Sequence, residues 1–253
     1  MKAMILAAGL GTRLRPLTDN RPKALVEIGG RTMLEITLSR LRAFGISEVI
    51  INVHHFADMM VKYLKRNENF GMRIAVSREE VLLETGGGLK KAAYFFCQDP
   101  NSPEEPFLLH NVDVLSAIDL QRMVSFHMEN QALATLAVQE RTSSRYLLFD
   151  EQLQLCGRRS GADQKTELVQ AAIPAHGELE ALAFCGIHVI SPRLFAKMRE
   201  EGVFSIITSY LDLAARGEKI FAFRADEYYW RDLGRPEDLL QAAQDVQRKG
   251  ALP

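Results

Sequence analysis

The stretch that most constrains this chain is residues 2–23, KAMILAAGLGTRLRPLTDNRPK. Residues 3–8 form a short apolar run suited to one strand buried on both faces, as in a parallel sheet. The run breaks at Gly9 and Gly11 into a loop that carries Arg13, Arg15 and Lys23. A strand that ends in glycines and then cations is built to hold phosphates. Glycine lets backbone N–H groups approach an oxyanion with no Cβ in the way, Arg13 offers a planar fork of donors, and Lys23 offers a mobile point charge. Arg15 is equally suited to pairing with a surface acid. Two familiar phosphate loops are excluded by spelling. The P-loop requires a Gly-Lys-Ser/Thr ending, which follows neither Gly9 nor Gly86, and the dinucleotide fingerprint requires a third glycine where Leu14 stands.

A chain of 253 residues suits one α/β domain with a sizeable core. The net charge of −1 gives no overall field for nucleic acid or an anionic membrane, so any cation cluster acts locally. Cys97, Cys156 and Cys185 are widely spaced and form no C-x-x-C pair, which points to buried reduced thiols rather than a disulfide framework or a zinc site. The apolar opening is shorter than a signal-peptide core, and no run approaches the roughly 18 residues of a membrane span, so a cytoplasmic protein is expected.

Thr32 and Glu35 have capping-box spacing, and Met33, Ile36, Leu41 and Phe44 keep helical spacing up to Gly45. Glu48–Val53 then reads as a second buried strand, so strand, helix and strand form a βαβ unit and the sheet should be parallel. Residues 56–67 read as a helix and 72–77 as a third strand. His54 and His55 are adjacent on an extended chain and point to opposite faces, so they belong near the ligand end of the strand rather than on one metal ion. Glu84-Thr85-Gly86-Gly87-Gly88 leads into a helix through Leu89, Ala92, Ala93 and Phe96. Three glycines there either make a plain turn or let a flat base lie on bare backbone with its amides free. Residues 98–106 read as a surface loop and 107–110 as a strand, followed by Asn111-Val112-Asp113, an acid where parallel sheets bind ligands. Further on, the pattern predicts a helix at 119–130, a strand at 132–139, a hairpin at 146–155 and an aperiodic flap at 157–177. A strand at 183–190 contains Gly186, and helices at 192–198 and 206–216 precede a strand at Ile220–Arg224 and a closing helix that starts at Pro236.

Residues 6–18 read LAAGLGTRLRPLT and are followed by Pro22-Lys23. They match without exception the signature LAAGxGTRLxPLT…PK, and the chain on this ground resembles the sugar-1-phosphate nucleotidyltransferases. The Glu84-Thr85-Gly86-Gly87-Gly88 form is most similar to the N-acetylmuramate 1-phosphate uridylyltransferases and to proteins labelled mannose-1-phosphate guanylyltransferases. The resemblance implies a Rossmann-like three-layer α/β/α nucleotide-diphospho-sugar transferase fold with a mostly parallel central sheet. It implies one domain over 1–253, with a nucleotide-binding part at 1–115, a sugar-phosphate-binding part at 116–235 and a C-terminal helix at 236–253.

By the same resemblance, Leu6, Ala7, Ala8, Gly9, Gly11, Thr12, Arg13, Thr85, Gly86, Gly87 and Asn111 contact the nucleotide. Lys23, Glu84, Gly157 and Gly186 contact the sugar phosphate, and Arg13 and Lys23 are the catalytic cations. Asp113 and Asp232 hold a magnesium ion, the first with Val112 in place of the family's glycine, the second in a Trp230-Arg231-Asp232-Leu233-Gly234-Arg235-Pro236-Glu237 segment where Arg235 replaces the usual Thr. The Glu-Lys-Pro motif that contacts sugar in relatives is missing. The implied partners are a nucleoside triphosphate and a sugar 1-phosphate, with no nucleic acid or membrane and a monomer or homodimer as assembly. The implied reaction serves cell-wall or surface-glycan precursors. Three rivals are a glycosyltransferase of related fold, a catalytically silent nucleotide-sugar sensor, and a cofactor cytidylyltransferase. The intact glycine loop, the retained Lys23 and aspartates, and the late Trp-Arg-Asp-Leu-Gly segment argue against them in turn.

Overall fold

The structure, a computed structural model, describes residues 1–97, 104–161, 165–169 and 178–249. In chain order it forms β1 (Ala3–Leu6), the two-residue strands β2 (Glu27–Ile28) and β3 (Arg31–Thr32), α1 (Met33–Ala43), β4 (Glu48–Val53), α2 (Ala57–Arg66), β5 (Arg73–Arg78), α3 (Glu84–Lys91) and α4 (Ala93–Phe96). There follow β6 (Phe107–Asn111), β7 (Val114–Ser116), α5 (Leu120–Glu129), β8 (Ala134–Gln139), β9 (Arg145–Phe149), β10 (Leu155–Ser160), β11 (Lys165–Leu168) and β12 (Glu180–Ile190). Last come α6 (Arg193–Lys197), α7 (Ile206–Ala215), β13 (Ile220–Arg224), β14 (Trp230–Asp232) and α8 (Pro236–Lys249).

Ten strands join in one sheet in the order β11-β10-β9-β12-β6-β1-β4-β5, with β8 paired to β12 and β13 to β8. The pairings make β1, β4, β5 and β6 parallel; following them outward, only β10 and β12 run against the rest. The sheet is therefore mostly parallel, as the βαβ spacing predicts.

Strand alternation divides the core between two faces. Ala3, Ile5, Val49, Ile51 and Leu108 pack with Leu38 and Leu41 of α1, Met60 and Leu64 of α2 and Met123 of α5. Met4, Ile50, Phe107 and Leu109 point the other way, onto Leu89 of α3, Phe96 of α4, Leu194 of α6 and Tyr210 of α7. Each Val, Leu, Ile, Phe or Met among them contributes roughly 1.5–3 kcal/mol when fully buried, and burial on both faces is why β4 carries the nearly unbroken apolar run EVIINV.

The capping reading holds for α1, where Thr32 accepts a bond from the Glu35 N–H at 3.1 Å. The helix stops at Gly45, whose φ of 93° is a left-handed conformation that suits glycine. Two expectations need correction. The three glycines lie inside the first turns of α3 instead of preceding a helix, and that helix breaks at Ala92 before α4. Within the flap expected at 157–177, the described residues form part of an antiparallel hairpin of β10 and β11. Every residue of β11 is exposed, so the ribbon has no apolar period to read. Residues 162–164 and 170–177 of that flap, and 98–103 of the expected surface loop, lie outside the described residues.

Candidate active site

The carboxyl ends of three parallel strands lie in register, with Leu6 flanked by Asn52 on one side and Asn111 on the other. The chain leaves Leu6 as a shaped loop. Gly11 has φ 67°, and a Cβ there would lie 3.0 Å from Thr18 Cγ2 and 3.1 Å from Lys23 Cβ, so this position needs glycine. Thr18 Oγ1 donates to the Gly11 carbonyl at 2.8 Å, and fully buried Leu14 anchors the turn at Thr12–Leu14. The result leaves Arg13 exposed, Ala7 and Ala8 buried, and Lys23 folded inward at 8% exposure. A Cβ at Gly9 would meet nothing within 4 Å, so that side of the loop opens on free space. Arg15 reaches Asp19 at 3.4 Å on the surface.

Lys23 Nζ donates to Asp113 Oδ2 in an ion pair. Asp113 occupies the turn between β6 and β7, and its carbonyl accepts from Leu233 N at 2.8 Å. β7 pairs antiparallel with β14 so that Val114 faces Asp232, which brings the second aspartate beside the first. Gly234 N donates to Asp232 Oδ1 at 2.6 Å, and a Cβ at Gly234 would lie 2.8 Å from Arg13 Nη2. Lys23, Asp113, Asp232 and Arg13 thus converge. Val112 is buried in the core and has no positive φ, so this turn does not require a glycine there.

Burial, and then the charge of Asp113, hold the Asp232 carboxyl above its ordinary value, while Lys23, the Gly234 N–H and Arg13 pull it back. A carboxyl raised on folding binds more protons in the folded state, so its ionisation costs stability as pH rises through the interval between unfolded and folded values. Asp232→Asn is therefore expected to melt above wild type at about pH 7 without added divalent ions, and the gain should shrink toward about pH 4. Paired thermal melts check this; equal melting at both pH values would contradict it.

A second set of residues went unread in the sequence. Asn52 Oδ1 accepts from Ala7 N at 2.7 Å, and Asn52 Nδ2 donates to Glu79 Oε1 at 2.7 Å. Glu79 Oε2 accepts from Leu83 N at 3.0 Å, and the Glu79 carbonyl bonds His54 Nδ1 at 2.9 Å. A Cβ on Gly88 would fall 2.7 Å from Glu79 Oε1 and 2.8 Å from Asn52 Nδ2. This network ties the glycine loop to α3. The readable signal was Asn52, a lone polar residue inside an otherwise apolar strand interior, which must find a partner when buried. Asn52→Ala would leave the Ala7 N–H and the Glu79 carboxylate short of partners, at about 1–3 kcal/mol for each unsatisfied group. Urea unfolding is expected to show a loss of about 2–4 kcal/mol.

The amides of Gly86 and Gly87 are not free as expected. Both donate to the Phe204 carbonyl, at 2.9 and 3.2 Å, and Thr85 Oγ1 accepts from Ile206 N at 3.0 Å. A Cβ at Gly86 would overlap the Phe204 ring, and one at Gly87 would overlap the Gly202 carbonyl. These glycines allow α3 to pack closely on the 202–206 segment. Glu84 opens α3 exposed, with a φ of 59° that is unusual for a non-glycine residue.

Gly186 lies where β12 changes partners, from β9 through Glu180–Leu182 to β6 through Ile187–Ile190, and where its register against β8 shifts. Its φ is 73°, and a Cβ there would stand 2.8 Å from Asn111 Nδ2. Asn111 Oδ1 is buried with no hydrogen-bond partner among the described residues. Gly157 is not brought into this group. It sits in β10 paired with Leu148 and Leu168, and the Glu167 carbonyl fills the place of a side chain.

Fold and geometry together define an α/β protein with a basic glycine loop and a pair of acids at the ligand-binding edge of its sheet. Residues 2–249 match the nucleotidyl transferase family, and the chain belongs to it. It is 34% identical to an N-acetylmuramate alpha-1-phosphate uridylyltransferase from Caulobacter vibrioides, over 95% of this chain and 94% of that one. It is 31% identical to a mannose-1-phosphate guanyltransferase from Yarrowia lipolytica, spanning 95% of this chain but 62% of the longer relative. The fold is shared with a UDP-glucose pyrophosphorylase from Acinetobacter baumanii, with TM-score 0.77, 18% identity, and coverage of 98% of this chain and 93% of that one. No helix among the described residues is long and apolar enough to cross a membrane.

Proposed function

We propose that this chain makes a nucleotide-sugar and pyrophosphate from a nucleoside triphosphate and a sugar 1-phosphate. The donor is uridine or guanosine triphosphate, and the acceptor is a hexose or N-acetylmuramate 1-phosphate destined for a cell-wall or surface-glycan precursor. The observation that carries this reading is the convergence of Lys23, Asp113, Asp232 and Arg13 beside the glycine loop.

The difficulty of the reaction is electrostatic. The two substrates bring roughly six negative charges together, given about −1.5 to −2 on a phosphomonoester. Each like-charge pair at about 4 Å costs on the order of 4 kcal/mol at an effective dielectric near 20. Exposed Arg13 takes the β and γ phosphates, and Lys23 takes the reacting phosphates. The open side of Gly9 leaves room for a phosphate against backbone. The unpartnered Asn111 Oδ1 offers an acceptor to a nucleoside hydroxyl.

Asp113 and Asp232 suit a divalent cation, since burial and then the charge of Asp113 raise the Asp232 carboxyl, and a shared positive charge would relieve both. Magnesium takes hard oxygen donors and needs only one or two carboxylates beside substrate phosphates. Bound there, it would supply Lewis-acid neutralisation of phosphate charge. An anionic oxygen of the sugar phosphate attacks the α-phosphorus in line; its P–O bond forms as the bond to pyrophosphate breaks, and pyrophosphate leaves with the electron pair. The attacking oxygen is already charged, so no side chain has to remove a proton.

The test is a panel of nucleoside triphosphates and sugar 1-phosphates scored by pyrophosphate release with magnesium. Release with at least one pair is expected, and release with none would overturn the proposal.

A further inference from the structure

Arg141 follows β8 and is half-buried. Its guanidinium carbon lies 3.9 Å from the centre of the Trp230 ring, and its Nη2 donates to the Phe184 carbonyl at 2.8 Å. Trp230 is itself fixed, its Nε1 donating to the Cys185 carbonyl at 2.7 Å. Among the described residues Arg141 Nε is buried with no geometric hydrogen-bond partner and no carboxylate pairs with this guanidinium, whose neighbour is the Cys185 thiol. Several other half-buried guanidinium groups of this half of the chain are paired with acids. Arg216 holds Asp212 at 2.7 Å, Arg224 holds Asp226 at 2.7 Å, and Arg231 holds Asp245 at 3.1 Å. A cation kept partly from water, with a donor unspent and no counterion, is an arrangement that a bound anion would complete.

Its place along β14 indicates which anion. Trp230 and Asp232 lie on one face of the strand, about 7 Å apart at the usual rise. Arg141 stacks on Trp230, before Asp232, while Arg13 abuts Gly234, after it. Two guanidinium groups therefore flank the acidic pair along the strand, Arg13 within electrostatic reach of Asp232. Arg13 comes from the glycine loop, on the triphosphate side in the reading above. Arg141 is held against the Phe184 carbonyl, two residues from the bulge at Gly186.

We propose, resting on the nucleotidyltransferase reading, that Arg141 binds an oxyanion of the sugar 1-phosphate. Stacking on Trp230 fixes the plane of the guanidinium and leaves its in-plane donors for a carboxylate or phosphate, which a lysine would grip less specifically. The oxyanion is either the phosphate, common to all acceptors, or a carboxylate carried by an acidic sugar.

Arg141→Met keeps an apolar contact on the tryptophan and removes the charge. With mannose 1-phosphate and N-acetylmuramate 1-phosphate as acceptors, the variant is expected to raise the acceptor KM by about tenfold or more, while the KM for the nucleoside triphosphate stays within about twofold. Arg141→Lys should fall between. Loss with both acceptors assigns the phosphate, and loss with the acidic acceptor alone assigns the carboxylate. An unchanged acceptor KM, or an equal rise for both substrates, overturns the role. Should wild type turn over no pair, the proposed reaction itself fails. Arg141 is then judged by calorimetric affinity of wild type and Arg141→Met for the same two acceptors, where equal affinities overturn it.

Discussion

Asp113→Asn is expected to lower kcat/KM by about a thousandfold or more while the protein stays folded, because Lewis-acid stabilisation is worth several kcal/mol and this substitution removes one of the two acids that would hold the ion. The change preserves shape. The Asp113 carbonyl still accepts from Leu233 N and β7 still pairs with β14, since both contacts are made by backbone. What disappears is a charge that pairs with Lys23 and repels Asp232. The magnesium concentration needed for half-maximal rate should rise sharply, and steady-state titrations of wild type and variant read both effects. A kcat/KM within a few-fold of wild type would remove Asp113 from the site.

Lys23→Met should cost about a hundred- to a thousandfold in kcat, the range seen when one donor to developing negative charge is deleted. It also carries a structural penalty that Asp113→Asn lacks. The Lys23 side chain is 9% exposed and that of Asp113 22%, so the pair is mostly but not wholly buried. Removing the ammonium leaves two carboxylates facing each other with Arg13 as the remaining nearby cation, at an expected cost of about 1–3 kcal/mol, below the range for fully buried pairs. Lys23→Arg keeps the charge beside Asp113 but spreads it over a larger planar head in place of a point charge. It should recover stability more than rate. Urea unfolding beside initial-rate kinetics separates the two, and normal turnover in Lys23→Met would contradict the assigned role.

The parallel strands β1, β4 and β6 were readable because they are largely buried and so mostly apolar. Glu48–Val53 agrees residue for residue with β4, and the capped start of α1 is written in Thr32 and Glu35. The convergence of Asp113 and Asp232 was readable only through resemblance, because the β7–β14 pairing that joins them is three residues long and leaves no pattern. Asn52 and Glu79 act through other side chains, and nothing about a single strand or loop announces a partner on the next one. The close packing of the glycine run was only partly readable for a related reason. A glycine run signals that something approaches the backbone closely, but not whether it is a base or the Phe204 ring and the Gly202 carbonyl. Arg141 was passed over because an isolated arginine in a loop looks like any solvated cation until Trp230 is found beneath it.

Asp113 and Asp232, brought together from distant parts of the chain, are proposed to hold one divalent cation where the phosphates meet. Manganese binding followed by electron paramagnetic resonance, with nucleoside triphosphate present, tests it without any need for turnover. One ion per wild-type chain is expected, lost when both aspartates become asparagine, while thermal melts confirm that the double variant is folded. Unchanged manganese binding in the folded double variant would contradict the claim.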